Sequence, residues 1–233
     1  MQTPDLMPVQ DFAVARRLMV DGQVRPNKVN DPRLLKALST LPRERFLPES
    51  AAPLAYADED VPLGHGRVLL APMLLARLIQ AILDGSDPAQ NAGRALVVGA
   101  GPGYGAAVLA HCGFSVTACE DDPALYARAR LALDAMAPDV TVLQAGPADL
   151  PKGPFDAILI EGGFEELPAS IPARLALRGG TAAGRLYGVR LDDAGIGLAV
   201  EGEMTTAGLA LRPLFDAFTT CLPGLATAPG FVF

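Results

Sequence analysis

Four glycines at alternate positions, Gly99, Gly101, Gly103 and Gly105, follow directly on the apolar run Ala95-Leu96-Val97-Val98. Glycine reaches backbone conformations closed to other residues and lets a ligand approach the main chain closely. A helix beginning just after such a turn offers unpaired N–H groups. The next apolar run, Ser115–Cys119, ends at Glu120, 21 residues beyond Gly99. A carboxylate there can accept hydrogen bonds from both hydroxyls of a ribose. Strand, turn, helix, second strand and acid together point to a nucleoside, held in the crevice beyond the strand ends where α/β sheets take ligands.

The glycine spacing narrows the choice. A dinucleotide turn reads G-x-G-x-x-G. Counted from Gly99, its last position is Tyr104, bulky where close helix–strand packing wants no side chain. Counted from Gly101 it is Ala106, which meets the loosened pattern but sits late after the strand. A G-x-G-x-G turn suits a ligand with no pyrophosphate, such as S-adenosylmethionine with its product S-adenosylhomocysteine, and a nicotinamide oxidoreductase is the weaker rival. Gly99, Ala100, Gly101 and Gly103 are read as the cofactor turn, with Glu120 and its neighbour Asp121 on the ribose side. Glu161 ends the fourth strand, where it reads equally as a cofactor residue or as a solvated acid.

These residues need a scaffold. Helices are expected over 11–20, from Asn30-Asp31-Pro32 to Pro42, over 51–56, and from Pro72 to about Leu83, with a turn at Gly64-His65-Gly66. Residues 84–93 read as a connector. Beyond them strands alternate with helices: strands at 95–98, 115–119, 141–143, 157–160, 186–189 and 197–200, helices at 104–112, 123–136 and 167–177, and a closing strand within 209–218. Such alternation implies a doubly wound, mostly parallel Rossmann-like sheet with right-handed crossovers. The expected organisation is a helical N-terminal part, 1–85, packing on the core and covering the site, and a nucleoside-binding α/β core, 94–233.

The 233 residues are half hydrophobic and 19% charged, which suits a packed globular chain rather than a disordered one. No apolar run reaches the ~18 residues of a membrane span. The first 20 residues lack the charged start and apolar block of a signal peptide, and Leu6, Met7 and Met19 are ordinary apolar residues. Three scattered cysteines, Cys112, Cys119 and Cys221, form no disulfide framework and imply a reduced, cytoplasmic setting. A net charge of −7 argues against a nucleic-acid partner, the Arg16, Arg17 and Arg25 group notwithstanding. No spacing of Cys, His, Asp and Glu suggests a metal site. His65 lies in the loop over the presumed crevice, and His111 and Cys112 end a helix.

Three blocks carry a resemblance. One is Asp31-Pro32-Arg33-Leu34-Leu35-Lys36-Ala37-Leu38 with Leu41-Pro42-Arg43-Glu44-Arg45-Phe46-Leu47-Pro48-Glu49. Another is Ala55-Tyr56-Ala57-Asp58-Glu59-Asp60-Val61-Pro62-Leu63-Gly64-His65-Gly66. The third is the glycine turn with Phe155-Asp156-Ala157-Ile158-Leu159-Ile160. Over roughly residues 15–165 the chain resembles the protein-L-isoaspartate O-methyltransferase family. The resemblance implies protein repair: methyl transfer from S-adenosylmethionine to a carboxylate of a protein or peptide, or of a small acid. It also implies a substrate-facing loop of His65, Val68, Leu69, Leu70 and Pro72. Two departures stand out. The family's Q-T-I-S-Q-P is Arg67-Val68-Leu69-Leu70-Ala71-Pro72 here, so its serine position is Leu70 and the catalytic residue is left unassigned. The family's Gly-Asp after the third strand is Ala145-Gly146, which leaves Gly146 among the implied cofactor contacts without its carboxylate, with Asp149 as a nearby substitute. These departures keep open an altered acceptor, or a nucleoside-binding relative without catalysis.

Overall fold

A computed structural model describes residues 11–86, 93–178, 181–182, 184–192 and 194–227. Leu6, Met7 and connector positions 87–92 lie outside it. Helix α1 (Phe12–Met19) starts where the Asp11 carboxylate accepts the N–H groups of Ala13 and Val14, and runs on into a π-helical turn, Val20–Val24. Helix α2 (Pro32–Thr40) starts the same way on Asp31, with Pro32 in its first turn. Strands β1 (Val61–Gly64) and β2 (Arg67–Leu69) form a small antiparallel hairpin ahead of α3 (Pro72–Asp84).

The chain then runs through β3 (Arg94–Val98), α4 (Tyr104–His111), β4 (Ser115–Glu120), α5 (Pro123–Met136), β5 (Thr141–Gln144) and β6 (Ala157–Phe164). A two-residue pair, β7 (Leu177–Arg178) with β8 (Thr181–Ala182), precedes β9 (Arg185–Leu191), β10 (Gly197–Thr205) and β11 (Gly208–Asp216). The main sheet has the order β11-β10-β9-β6-β3-β4-β5. Pairings from β5 through to β9 are parallel, and β10 and β11 add antiparallel to the β9 edge. Winding from β3 goes to β4 and β5 on one side and to β6 and β9 on the other. The switch point therefore falls between β3 and β6, and their carboxyl ends face the crevice that such sheets use for ligands.

Both faces of the central strands are buried, which is why β3 and β6 are apolar almost throughout. Ala95, Val97, Ala118, Leu159 and Tyr187 share one apolar cluster with residues of α2, α3, α4 and α5. On the other face Leu96, Val98, Ile158 and Ile160 pack against irregular chain: Leu150, Phe155, Ile171, Leu175, Leu222 and Leu225.

That second face departs from the expected helix over 167–177. The segment has a single 3-10 turn, Pro172–Arg174. Pro168 and Pro172 each lack an N–H, and the backbone pairs instead with Phe155, two residues ahead of β6: Phe155 N–H donates to Arg174 O at 2.8 Å and Ala176 N–H to Phe155 O at 2.7 Å. The short helix expected over 51–56 is a 3-10 turn, Ala52–Leu54. The strand expected to stop at Ile160 continues to Phe164, through Glu161.

Candidate active site

The turn after β3 is built by three glycines with positive φ: Gly99 at 67°, Gly101 at 54° and Gly103 at 92°. Ala100 N–H donates to Cys119 O at 3.0 Å, which ties the turn to β4. Glu120, wholly buried at the end of β4, gathers three donors. Its Oε2 accepts the Gly101 N–H at 2.7 Å, and its Oε1 accepts the Asp122 N–H at 2.9 Å and Arg67 Nη2 at 3.2 Å. Arg67 also pairs with Asp121. Burial pushes the Glu120 carboxyl above its ordinary range, against the pull of the Asp122 amide, the Arg67 charge and the Gly101 amide.

The donors and acceptors of this turn fit a nucleoside, and the crevice above it is narrow. Between Arg67, Gly99, Asp121, Gly146, Leu222 and Pro223 lies a cavity of about 10 Å³. That is about one water, against the few hundred Å³ of ordinary ligand pockets. Leu222 and Pro223 close it from above and Arg67 fills its polar side. Ala145 and Gly146 line it, whereas Asp149 is exposed.

A buried polar group lies under the turn. Arg43 is fully buried on the 3-10 turn Arg43–Phe46; it donates from Nε to Ala55 O and from Nη2 to Leu70 O, both at 2.6 Å. Its guanidinium stands 5.0 Å from the centroid of the Tyr104 ring. Glu161 is buried on β6, and its Oε1 has no hydrogen-bond partner among the described residues; the same holds for Tyr104 Oη and Arg43 Nη1. Burial raises the Glu161 carboxyl to about 8; the Arg43 charge opposes this and the Glu120 charge adds to it. The carboxyl lies so close to Gly105 that a β-carbon there would stand 2.7 Å from Glu161 Cδ. Gly105→Ala is therefore expected to cost ~1–3 kcal/mol in urea unfolding. Glu161→Ala in the same chain should recover much of the loss, so a double-mutant cycle that came out additive would contradict this packing.

The loop residues divide. His65, at φ 51°, is exposed, and its Nδ1 lies 2.6 Å from Asp122 Oδ2, on the residue that caps α5. This contact is the first cause of an Asp122 carboxyl held below its usual range. Val68 is half-buried, while Leu69, Leu70 and Pro72 are buried and offer no surface to the crevice. Asp60 organises the loop: Oδ1 accepts the Ala71 N–H at 2.7 Å and Oδ2 the Thr219 hydroxyl at 2.5 Å. Asp58 and Glu59 have no side-chain bond among the described residues. Sequence predicts neither the pairing of Arg67 with Glu120 nor the placement of Leu222. An arginine just after a G-x-G turn could have signalled a partner for Glu120, but nothing local marks Leu222. Among the described residues no His, Cys, Asp and Glu group is placed to hold a metal ion, and no helix is long and apolar enough to cross a membrane.

Comparison with known proteins places the chain in a family. Residues 16–182 match the family model of protein-L-isoaspartate(D-aspartate) O-methyltransferase. The chain is 41% identical over 172 residues to protein-L-isoaspartate O-methyltransferase 1 of Rhodopseudomonas palustris (strain HaA2), covering 72% of this chain and 68% of that one. It is 39% identical over 175 residues to the Methylorubrum extorquens (strain PA1) protein of the same name, covering 74% of each. Among solved structures, a Plasmodium falciparum protein described as a protein-L-isoaspartate O-methyltransferase, in complex with S-adenosyl-L-homocysteine, superposes with a TM-score of 0.69. That match has 19% identity and covers 92% of this chain and 99% of that one. At such identity it shows the shared fold.

Proposed function

The chain belongs to the protein-L-isoaspartate O-methyltransferase family, and we propose that it is an S-adenosylmethionine-dependent O-methyltransferase acting on a carboxylate of a protein or peptide. The observation that carries this reading is the positive-φ turn at Gly99, Gly101 and Gly103, clasped by the buried Glu120 at the switch point of the sheet. Bound S-adenosylmethionine supplies a methyl group activated by its sulfonium. Gly99, Ala100, Gly101 and Gly103 would shape its seat, Glu120 would hold its ribose, and Asp121 and Gly146 border the same crevice.

An acceptor carboxylate is already ionised at pH 7, since model values lie near 4. No strong base is needed, and the protein's task is to align the acceptor and keep water out. The buried Leu70, at the family's serine position, provides no hydroxyl for a polar peptide, and an unmet buried polar group costs ~1–3 kcal/mol. Isoaspartyl recognition is thus the part of the family's activity most exposed to change. A labelled-methyl assay on an isoaspartyl peptide, with its ordinary aspartyl counterpart as control, tests this: transfer to the isoaspartyl form alone is expected. Transfer to neither, with S-adenosylhomocysteine still bound, would overturn the isoaspartyl acceptor. The closed crevice and Leu70 favour a second reading, a nucleoside-binding relative without catalysis; methyl transfer to any acceptor removes it.

A further inference from the structure

After β11 the chain crosses back over the carboxyl ends of β3 and β6. It is held there by few bonds. Gly163 N–H donates to Thr220 O and Leu222 N–H to Gly163 O, both at 2.8 Å, and Glu165 N–H donates to Leu225 O at 2.9 Å. One isolated bridge joins Gly163 to Cys221. At its start the Thr219 hydroxyl is fixed to Asp60, the residue just before β1, which also holds the Ala71 amide. From this frame Leu222 drops between two glycines. A β-carbon on Gly99 would stand 2.7 Å from Leu222 Cδ1, and one on Gly162 would stand 2.5 Å from its Cγ. Pro223 closes over Gly66, 3.2 Å from where a β-carbon would lie. On the polar side Arg67 donates to Glu120, the acceptor that ribose hydroxyls would use.

We propose that residues 219–225 are an autoinhibitory strap whose Leu222, together with Arg67, keeps the nucleoside crevice shut until the strap lifts. The proposal rests on the methyltransferase reading and adds regulation to the same site. Space and bonding both support it. Leu222 fills the space over Gly99, and although Leu222 and Leu225 are buried, the segment belongs to no strand or helix, so lifting it unpairs no strand of the main sheet. It also lies outside residues 16–182, the part of the chain that matches the family model. A ligand that binds only the open form has its apparent affinity reduced by the open fraction. Weakening the strap therefore tightens binding without adding a contact.

Two substitutions in the full chain weaken it differently. Leu222→Ala shortens the wedge, and Thr219→Val removes the donor to Asp60 at nearly constant shape. Calorimetric titration with S-adenosylhomocysteine is expected to give each variant a Kd lower than the parent by about tenfold or more. In the parent, the ligand is expected to speed amide exchange at Gly163, Leu222 and Glu165. If Leu222→Ala fails to fold, Thr219→Val and the parent's exchange decide the question. Equal Kd values with unchanged or slower exchange would overturn the strap and leave the methyltransferase reading standing. No binding by parent or variants would overturn the methyltransferase reading itself.

Discussion

Glu120→Ala is expected to lower the unfolding midpoint sharply and to abolish S-adenosylhomocysteine binding in the same protein. The Gly101 and Asp122 amides and the Arg67 guanidinium converge on this one buried carboxylate. Taking it away leaves the two amides short of an acceptor inside the protein. It also leaves Arg67, 5% exposed, with Asp121 as its remaining described partner. Breaking a buried ion pair costs ~3–5 kcal/mol, and because the half-exposed Asp121 keeps part of the pairing, the lower end applies, about 3 kcal/mol. Glu120→Gln keeps one acceptor oxygen but turns an NH2 toward the remaining donors, so it should fall between alanine and the parent. Urea unfolding at unchanged m-value reads the stability, and calorimetry reads the ligand. An alanine variant that unfolds like the parent and still binds would show that Glu120 does not clasp the turn.

The parts of the fold that sequence made legible are those with local causes. Helix α5 runs over Pro123–Met136, as expected, because Asp122 caps it and Pro123 presets its first turn. The glycine turn was legible because its φ values demand glycine, and the ends of β3 and β4 because their apolar runs stop at Gly99 and Glu120. Long-range competition hid the rest. Residues 167–177 carry enough apolar side chains for a helix face, but Pro168 and Pro172 break the ladder and Phe155, just ahead of β6, offers the backbone other partners. Strand β6 continues past Ile160 because Glu161 is held inside rather than in solvent, which a polar residue at the end of an apolar run does not announce.

The site followed the same division. Glu120 and the turn could be read from spacing alone. Arg67 follows the Gly64-His65-Gly66 turn, but its pairing with Glu120 depends on β2 folding over the sheet end. Leu222 lies 123 positions from Gly99, and no periodicity in Thr219–Leu225 marks it as a plug. A wedge of this kind belongs to tertiary structure. The glycine at 105 is similar: in sequence it extends the alternate-glycine pattern, whereas in the fold it makes room for the Glu161 carboxyl.

That carboxyl should make stability fall as pH rises from about 5 to about 8. In the unfolded chain a glutamate releases its proton near 4.3. In the folded protein burial delays the release to about 8. Between those limits the native state binds the proton that the unfolded state has lost, so each step up in pH favours unfolding, and the trend levels off above about 8. Integrated over the whole interval the loss has a ceiling of roughly 5 kcal/mol, since one pKa unit is 1.36 kcal/mol. Asp31 and Asp122, whose carboxyls are held low, lose stability on the acid side and leave this window clear, while Glu120, raised by burial, acts in the same sense as Glu161. Glu161→Gln removes the titration while keeping the shape. Urea unfolding from pH 5 to 9 is therefore expected to show a steep decline in the parent and a shallow one in the variant, with the variant the more stable above pH 8. Parallel curves would mean that Glu161 is solvated. A proton kept at pH 7 fits a carboxyl that has an unpartnered oxygen, because the neutral form tolerates a low-dielectric setting that an isolated buried charge does not. Glu161 is then expected to stand as a neutral carboxyl rather than as a second negative charge near Glu120.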